Sequence, residues 1–179
     1  DDIRTLYEPN ELHYDNQLLT VLKKLDPDTI YCLNEEQAEF LEDLDRSFKV
    51  DTESLNDAIT FCRTIKTEEE LDMMREAARV NNIAHRKVME SVKPGLYEYE
   101  LKAIFDYHQV KRGLLFQAYS GIHAAGSNAA ILHYTDSESR LENGDLYLID
   151  AGYKYEGYAS DVTRTYPANG RFTDEQAAV

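Results

Sequence analysis

The hydrophobic and polar positions of this chain fall into two textures that meet near residue 64. Before that point, short apolar runs alternate with turn residues. Asn16 to Leu25 reads as a short amphipathic helix, and Glu36 to Phe40 as one or two helical turns. Thr29 to Leu33 follows the Asp26-Pro27-Asp28 turn and reads as a strand. This is α/β material that looks like the closing part of a domain, residues 1–53, with 54–66 as a linker.

From Thr67 the pattern becomes helical. Thr67 can cap free N–H groups, Glu70 stands at the capping-box position, and Glu68, Glu69 and Glu70 favour the positive helix end. Leu71, Met74, Ala78, Ala84 and Val88 recur at helical spacing until Pro94-Gly95 stops the run. A second helix is predicted from Tyr97 to about Lys111, ended by Gly113. Strands follow at Phe116–Ile122, Leu132–Thr135, Asp145–Ala151, Tyr155–Ser160 and Val162–Tyr166. Helices followed by a run of strands predict an α+β layer for residues 67–179.

Composition narrows the reading. The 179 residues carry 34 acids against 19 Lys and Arg, a formal charge of −15. That balance argues against nucleic acid or an anionic membrane as partner, because phosphate binding needs clustered basic residues. No apolar stretch approaches the ~20 residues of a membrane-spanning helix. The opening Asp1-Asp2-Ile3-Arg4 reads as neither a signal peptide nor a natural start. Cys32 and Cys62 form no disulfide framework; they read as small buried hydrophobes of a protein from a reducing, cytoplasmic compartment.

The candidate chemistry lies in the last third. Leu148-Ile149-Asp150-Ala151-Gly152 and Tyr158-Ala159-Ser160-Asp161-Val162 flank a turn near Lys154–Gly157. A hairpin centred between Tyr155 and Glu156 would set Asp150 opposite Asp161 on one face. Two carboxylates at the end of a buried strand repel, which costs several kcal/mol unless a cation intervenes. Hard oxygen ligands suit Mn, Mg or Ca, and a shared carboxylate suits two ions. The alternative is a pair of water-facing turn residues; the apolar run before Asp150, the hairpin parity and the room left by Gly152 weigh against it. Gly126-Ser127-Asn128-Ala129-Ala130-Ile131-Leu132-His133 would present an imidazole into a cleft from the end of a short strand; the alternative is a surface or satisfied-core histidine, as most lone histidines are. His13, His85 and His108 read as surface or core residues, His123 stays unassigned, and Tyr119 by itself reads as a core aromatic.

Taken together, Asn128 to Tyr134, Leu148 to Gly152 and Ser160 to Pro167 resemble the pita-bread metallopeptidases, and within them the prolidase and aminopeptidase P group. Arg63 to Glu70, Val92-Lys93-Pro94-Gly95 and the pair Glu98 and Glu100 fit the same pattern. The resemblance covers residues 54–179. It implies the end of a creatinase-type α/β domain followed by the first half of a curved antiparallel catalytic domain. It also implies two divalent metals, manganese first with cobalt or zinc as alternatives, held by two Asp, one His and two Glu. Asp150 then looks like a ligand of one metal and Asp161 like the carboxylate bridging both. His133 looks like the substrate-contacting histidine that stabilises the transition state. Thr163 would support Asp161, and Tyr119 would lie near the substrate. The implied reaction is hydrolysis of an Xaa-Pro bond in a dipeptide by a homodimer. Aminopeptidase P action on longer peptides, or a non-catalytic protein-binding module, are the alternatives. The remaining His and two Glu belong to the second half of such a domain, so the chain reads as a fragment expected to be inactive alone.

Overall fold

A computed structural model describes residues 13–178; the reading of Asp1 to Arg4 lies outside them. The chain divides into two compact units between Lys66 and Thr67.

In the first unit, a single 3-10 turn precedes α1 (Leu18–Leu25), which is followed by β1 (Ile30–Tyr31), α2 (Glu35–Leu44), β2 (Val50–Asp51) and α3 (Ser54–Thr64). Lys23 and Lys24 sit at the negative end of α1, and Asp26 ends it in the left-handed region at φ 46°. The Asn34 side chain accepts the Gln37 N–H at 2.9 Å and starts α2, which runs further than the Glu36–Phe40 pattern predicts. Asp51 accepts N–H groups from Glu53 and Ser54, which holds its carboxyl below the usual range and launches α3. That helix occupies the stretch expected as a linker and buries none of its residues. β1 and β2 pair in parallel, and Cys32, Ala38 and Leu41 form the core beside them. Cys32 is buried as expected; Cys62 is exposed, which corrects the reading of both cysteines as buried hydrophobes.

In the second unit, α4 (Glu68–Ser91) opens with the anticipated capping box: Glu70 Oε2 accepts the Thr67 N–H at 2.7 Å, and Thr67 Oγ1 the Glu70 N–H at 3.3 Å. Its buried stripe is Ala77, Val80, Asn81, Ala84, His85 and Val88. Ala78 is exposed and lies outside that stripe, while two polar residues, Asn81 and His85, take core positions. α5 (Glu98–Val110) packs beside α4 and ends at Gly113, whose φ of +87° few other residues adopt.

The strands are β3 (Phe116–Gln117), β4 (Ile122–Ala125), β5 (Leu146–Ala151), β6 (Tyr153–Tyr155), β7 (Tyr158–Ala159) and β8 (Val162–Pro167), before a short α6 (Asp174–Ala178). They form two antiparallel sheets, β4-β5-β8 and β3-β6-β7. The predicted strand 116–122 is split, and Leu132–Thr135 is a turn and loop, with Leu132 92% exposed where a core strand would bury it. Along β5, Tyr147, Ile149 and Ala151 are buried against a core that includes Phe105, Leu101 and Val88. Leu146, Leu148 and Asp150 alternate with them on the other, half-buried face. That second face carries the candidate chemistry.

Candidate metal and substrate site

The site begins with a backbone contact. β5 breaks at Gly152, where a Cβ would lie 1.7 Å from the Ser160 carbonyl oxygen, so the two strands touch main chain to main chain. Ser160 N–H donates to the Tyr153 carbonyl at 2.9 Å, its Oγ donates to the same oxygen at 3.0 Å, and the Tyr153 N–H donates to Ser160 Oγ at 3.1 Å. Beyond this clamp, Glu156 and Gly157 form the turn with φ of 47° and 88°, so Tyr155 pairs Tyr158.

The register differs from the expected one by two residues. Asp150 pairs directly with Thr163, and Asp161 lies one step diagonally along the same face. An even shift preserves the face, so the two carboxylates still converge. Tyr119 Oη stands 2.5 Å from Asp150 Oδ1 and 2.8 Å from Asp161 Oδ1. Partial burial first, and then both carboxylates, push this phenol well above its ordinary pKa. Tyr119 reaches the strands because the preceding Ala118 N–H donates to the Gly152 carbonyl at 2.9 Å.

His133 faces the same groove, of about 530 Å³, with Tyr119, Ser120, Ile122 and Thr135 lining it beside the two carboxylates. It sits on a turn with φ of +53°. The structure thus brings Tyr119, His133, Asp150 and Asp161 to one groove. Thr163 is opposite Asp150 and makes no hydrogen bond to either carboxylate among the described residues.

Two supports of the site escaped the sequence reading. Under Asp150, Asn81 Nδ2 donates to the Ala151 carbonyl at 3.2 Å, His85 Nε2 lies 3.4 Å from that oxygen, and Gln109 Nε2 donates to Asn81 Oδ1 at 2.7 Å. His85 and Gln109 are buried, and burial lowers the His85 pKa. Under His133 lies Glu98, fully buried and hydrogen-bonded to the loop that carries the histidine. Polar residues on the inner side of an amphipathic helix were the available signal.

The donor set fits divalent cations. Neither Asp150 nor Asp161 has an ion-pair partner among the described residues, and both present hard oxygens to one space. No group of three or more His, Cys, Asp or Glu that could hold a metal occurs among the described residues. Among the described residues the carboxylate pair has no third His, Cys, Asp or Glu beside it at metal-binding distance. No helix among those residues is long and apolar enough to cross a membrane.

Residues 72–179 match the model of metallopeptidase family M24. The chain belongs to this family. The M24 chain is 41% identical over 117 residues to Xaa-Pro aminopeptidase of Escherichia coli, an alignment covering 65% of this chain and 26% of the relative. It is 33% identical over 185 residues to Xaa-Pro dipeptidase of Rattus norvegicus, covering 97% of this chain and 38% of the relative. The structure of Pseudomonas aeruginosa aminopeptidase PepP superposes with a TM-score of 0.87 at 36% identity, over 98% of this chain and 43% of that one. The mixed helices and antiparallel sheets thus have the pita-bread architecture of this family, and the chain spans less than half the length of these relatives.

Proposed function

We propose that this M24 chain contributes the carboxylate pair and the substrate-facing histidine of a dinuclear Xaa-Pro dipeptidase, which cleaves the bond before proline. The observation that carries the reading is the convergence of Asp150 and Asp161 on Tyr119 Oη in the groove that His133 faces. Asp150 would hold one divalent ion and Asp161 would bridge two, with manganese the first choice and cobalt or zinc able to replace it. Bound there, the ions supply a water nucleophile near neutral pH and polarise the carbonyl. His133 then donates a hydrogen bond to the charge developing on the scissile carbonyl oxygen, a role worth about 10²–10³ in rate. Tyr119 keeps the two carboxylates in register through its hydroxyl, and Thr163 flanks Asp150 across the ladder. We place the protein in the reducing cytoplasm as a homodimer.

Aminopeptidase P action is the second reading, favoured by the PepP superposition over nearly the whole chain. Proline-containing dipeptides and tripeptides separate the two: turnover of tripeptides alone by the full-length protein would exclude the dipeptidase. The metal assignment is tested by Asp161→Asn in that protein, which is expected to lose bound manganese and activity together. Unchanged metal content by elemental analysis would sink the bridging role. Because no three potential ligands converge among the described residues, the 179-residue chain alone is expected to release no proline from Gly-Pro. Measurable release would overturn that account.

A further inference from the structure

Glu98 is a carboxylate that the reaction does not touch, buried completely, 0% exposed, at the first turn of α5. Such a group is stable there only if its oxygens are fully hydrogen-bonded. Four donors meet it, and all belong to one segment. Oε1 accepts from the Ala125 N–H at 2.7 Å and from Asn128 Nδ2 at 3.0 Å. Oε2 accepts from Tyr134 Oη at 2.7 Å and from the Ser139 N–H at 2.9 Å. Asn128 Nδ2 also lies 3.1 Å from Tyr134 Oη and 2.9 Å from Ser139 Oγ, which ties the donors to one another.

The segment gripped in this way, residues 125–139, is the one that presents His133. It carries two of the four non-glycine residues with positive φ among the described residues, His133 at 53° and Ser137 at 54°, one on each side of Tyr134. Side chains adopt that region rarely, and a loop that uses it twice persists only when its surroundings hold it there. Apolar burial holds only part of it: Ile131 and Leu132 are exposed, and the buried Tyr134 and Ala125 are themselves among the groups that hydrogen-bond Glu98. The donors to Glu98 supply the rest, because they bracket both strained residues.

We propose that Glu98 is the positioning residue of His133, acting through the 125–139 loop to fix where the imidazole stands in the groove. This deepens the reading given under Proposed function and rests on it for the role of His133. A glutamine at position 98 has the same shape but presents an N–H₂ to one pair of donors. The Tyr134 hydroxyl can turn round to accept, whereas a backbone N–H cannot, so one contact becomes repulsive.

The experiment uses the full-length protein loaded with manganese, with Glu98→Gln, His133→Ala and the double variant. Glu98→Gln is expected to lower kcat about 10- to 100-fold on an Xaa-Pro substrate at unchanged metal content, the range for partners that orient a reacting group. In the His133→Ala background the same change is expected to cost nothing further, because both act through one imidazole. An equal loss in both backgrounds would make Glu98 a purely structural residue and overturn the proposal. Independently of activity, the His133 ring resonances in ¹H–¹⁵N spectra of the metal-free protein should move in Glu98→Gln; coincidence with wild type would also overturn it. Should Glu98→Gln fail to fold, Tyr134→Phe removes a single donor. It is then expected to move the His133 resonances and reduce kcat about tenfold, and leaving both unchanged would count against the proposal. If His133→Ala alone leaves activity intact, the catalytic reading fails, while the resonances still decide whether Glu98 positions His133.

Discussion

The unit ending at Lys66 closes over Cys32, Ala38 and Leu41, and its polar side chains work at the surface as helix caps and turn formers. The unit beginning at Thr67 closes over a cluster running from Val80 to Ala168, and it also buries Asn81, His85, Glu98, Gln109 and His123. The first arrangement needs only that apolar side chains leave water. In the second, buried side chains such as Asn81 and Glu98 meet particular partners, although His85 Nδ1, Gln109 Oε1 and Ser137 Oγ stay without one, and those contacts specify where backbone and side chains stand. The groove with Asp150, Asp161 and His133 lies in this second unit, where buried polar contacts fix placement as well as stability.

The contrast can be broken first at its cores. Phe105 is 1% exposed and meets His85, His123 and Tyr153 edge-on or tilted. Phe105→Ala is expected to destabilise the second unit by about 3–5 kcal/mol. Leu41→Ala, in the smaller cluster, is expected to destabilise the first by about 2 kcal/mol, the low end for a Leu-to-Ala change. Urea titrations followed by circular dichroism measure both; equal losses would show that the two cores differ in size alone.

Gly152→Ala tests the placement itself. The added methyl must displace the Ser160 carbonyl, so a loss of about 3 kcal/mol is expected. Gly170→Ala meets no atom within 4 Å and strains only a turn, so it should lose about 1 kcal/mol. Thermal unfolding of the pair compares them, and similar midpoints would mean that the strands part easily.

The last test is acid sensitivity. Burial, and then the nearby charges of Lys102 and His85, lower the His123 pKa to about 3 from its usual 6.5. The unfolded chain therefore takes up a proton below about pH 6.5 that the folded one refuses. Stability is full above that pH and falls toward pH 3, by up to about 1.4 kcal/mol per pH unit for this group. His85 adds to the same limb. His123→Gln, whose amide can donate to or accept from the Tyr147 hydroxyl, should flatten the fall between pH 6 and pH 4 in urea midpoints. An unchanged slope would remove His123 from the account.

The site was readable to different depths. The Thr67 and Glu70 capping box was legible because both of its bonds join residues three apart. The shared face of Asp150 and Asp161 was legible because strands repeat every second residue. Their register was not. Glu156-Gly157 lacks the Asn-Gly or Asp-Gly signature of its turn type, and the pairing centre moved by one position, shifting partners by two. Ile131-Leu132-His133 has the apolar look of a strand, yet hydrogen bonds from residues on either side to Glu98 hold it as an exposed turn. Glu98 itself could be placed in a motif but not in the interior, because the groups that make its burial tolerable lie 27 to 41 positions along the chain.

The pinning of Gly152 against Ser160 has a consequence for how this hairpin can vary in length. Residues inserted at the Glu156-Gly157 tip extend the arms on the far side of the pin, and the separation of Asp150 from Asp161 stays as it is. Residues inserted between either aspartate and the pin change that separation at once. The tip is therefore free to drift in sequence and size, while the few positions inward of the pin act as a fixed gauge for the distance between the two carboxylates.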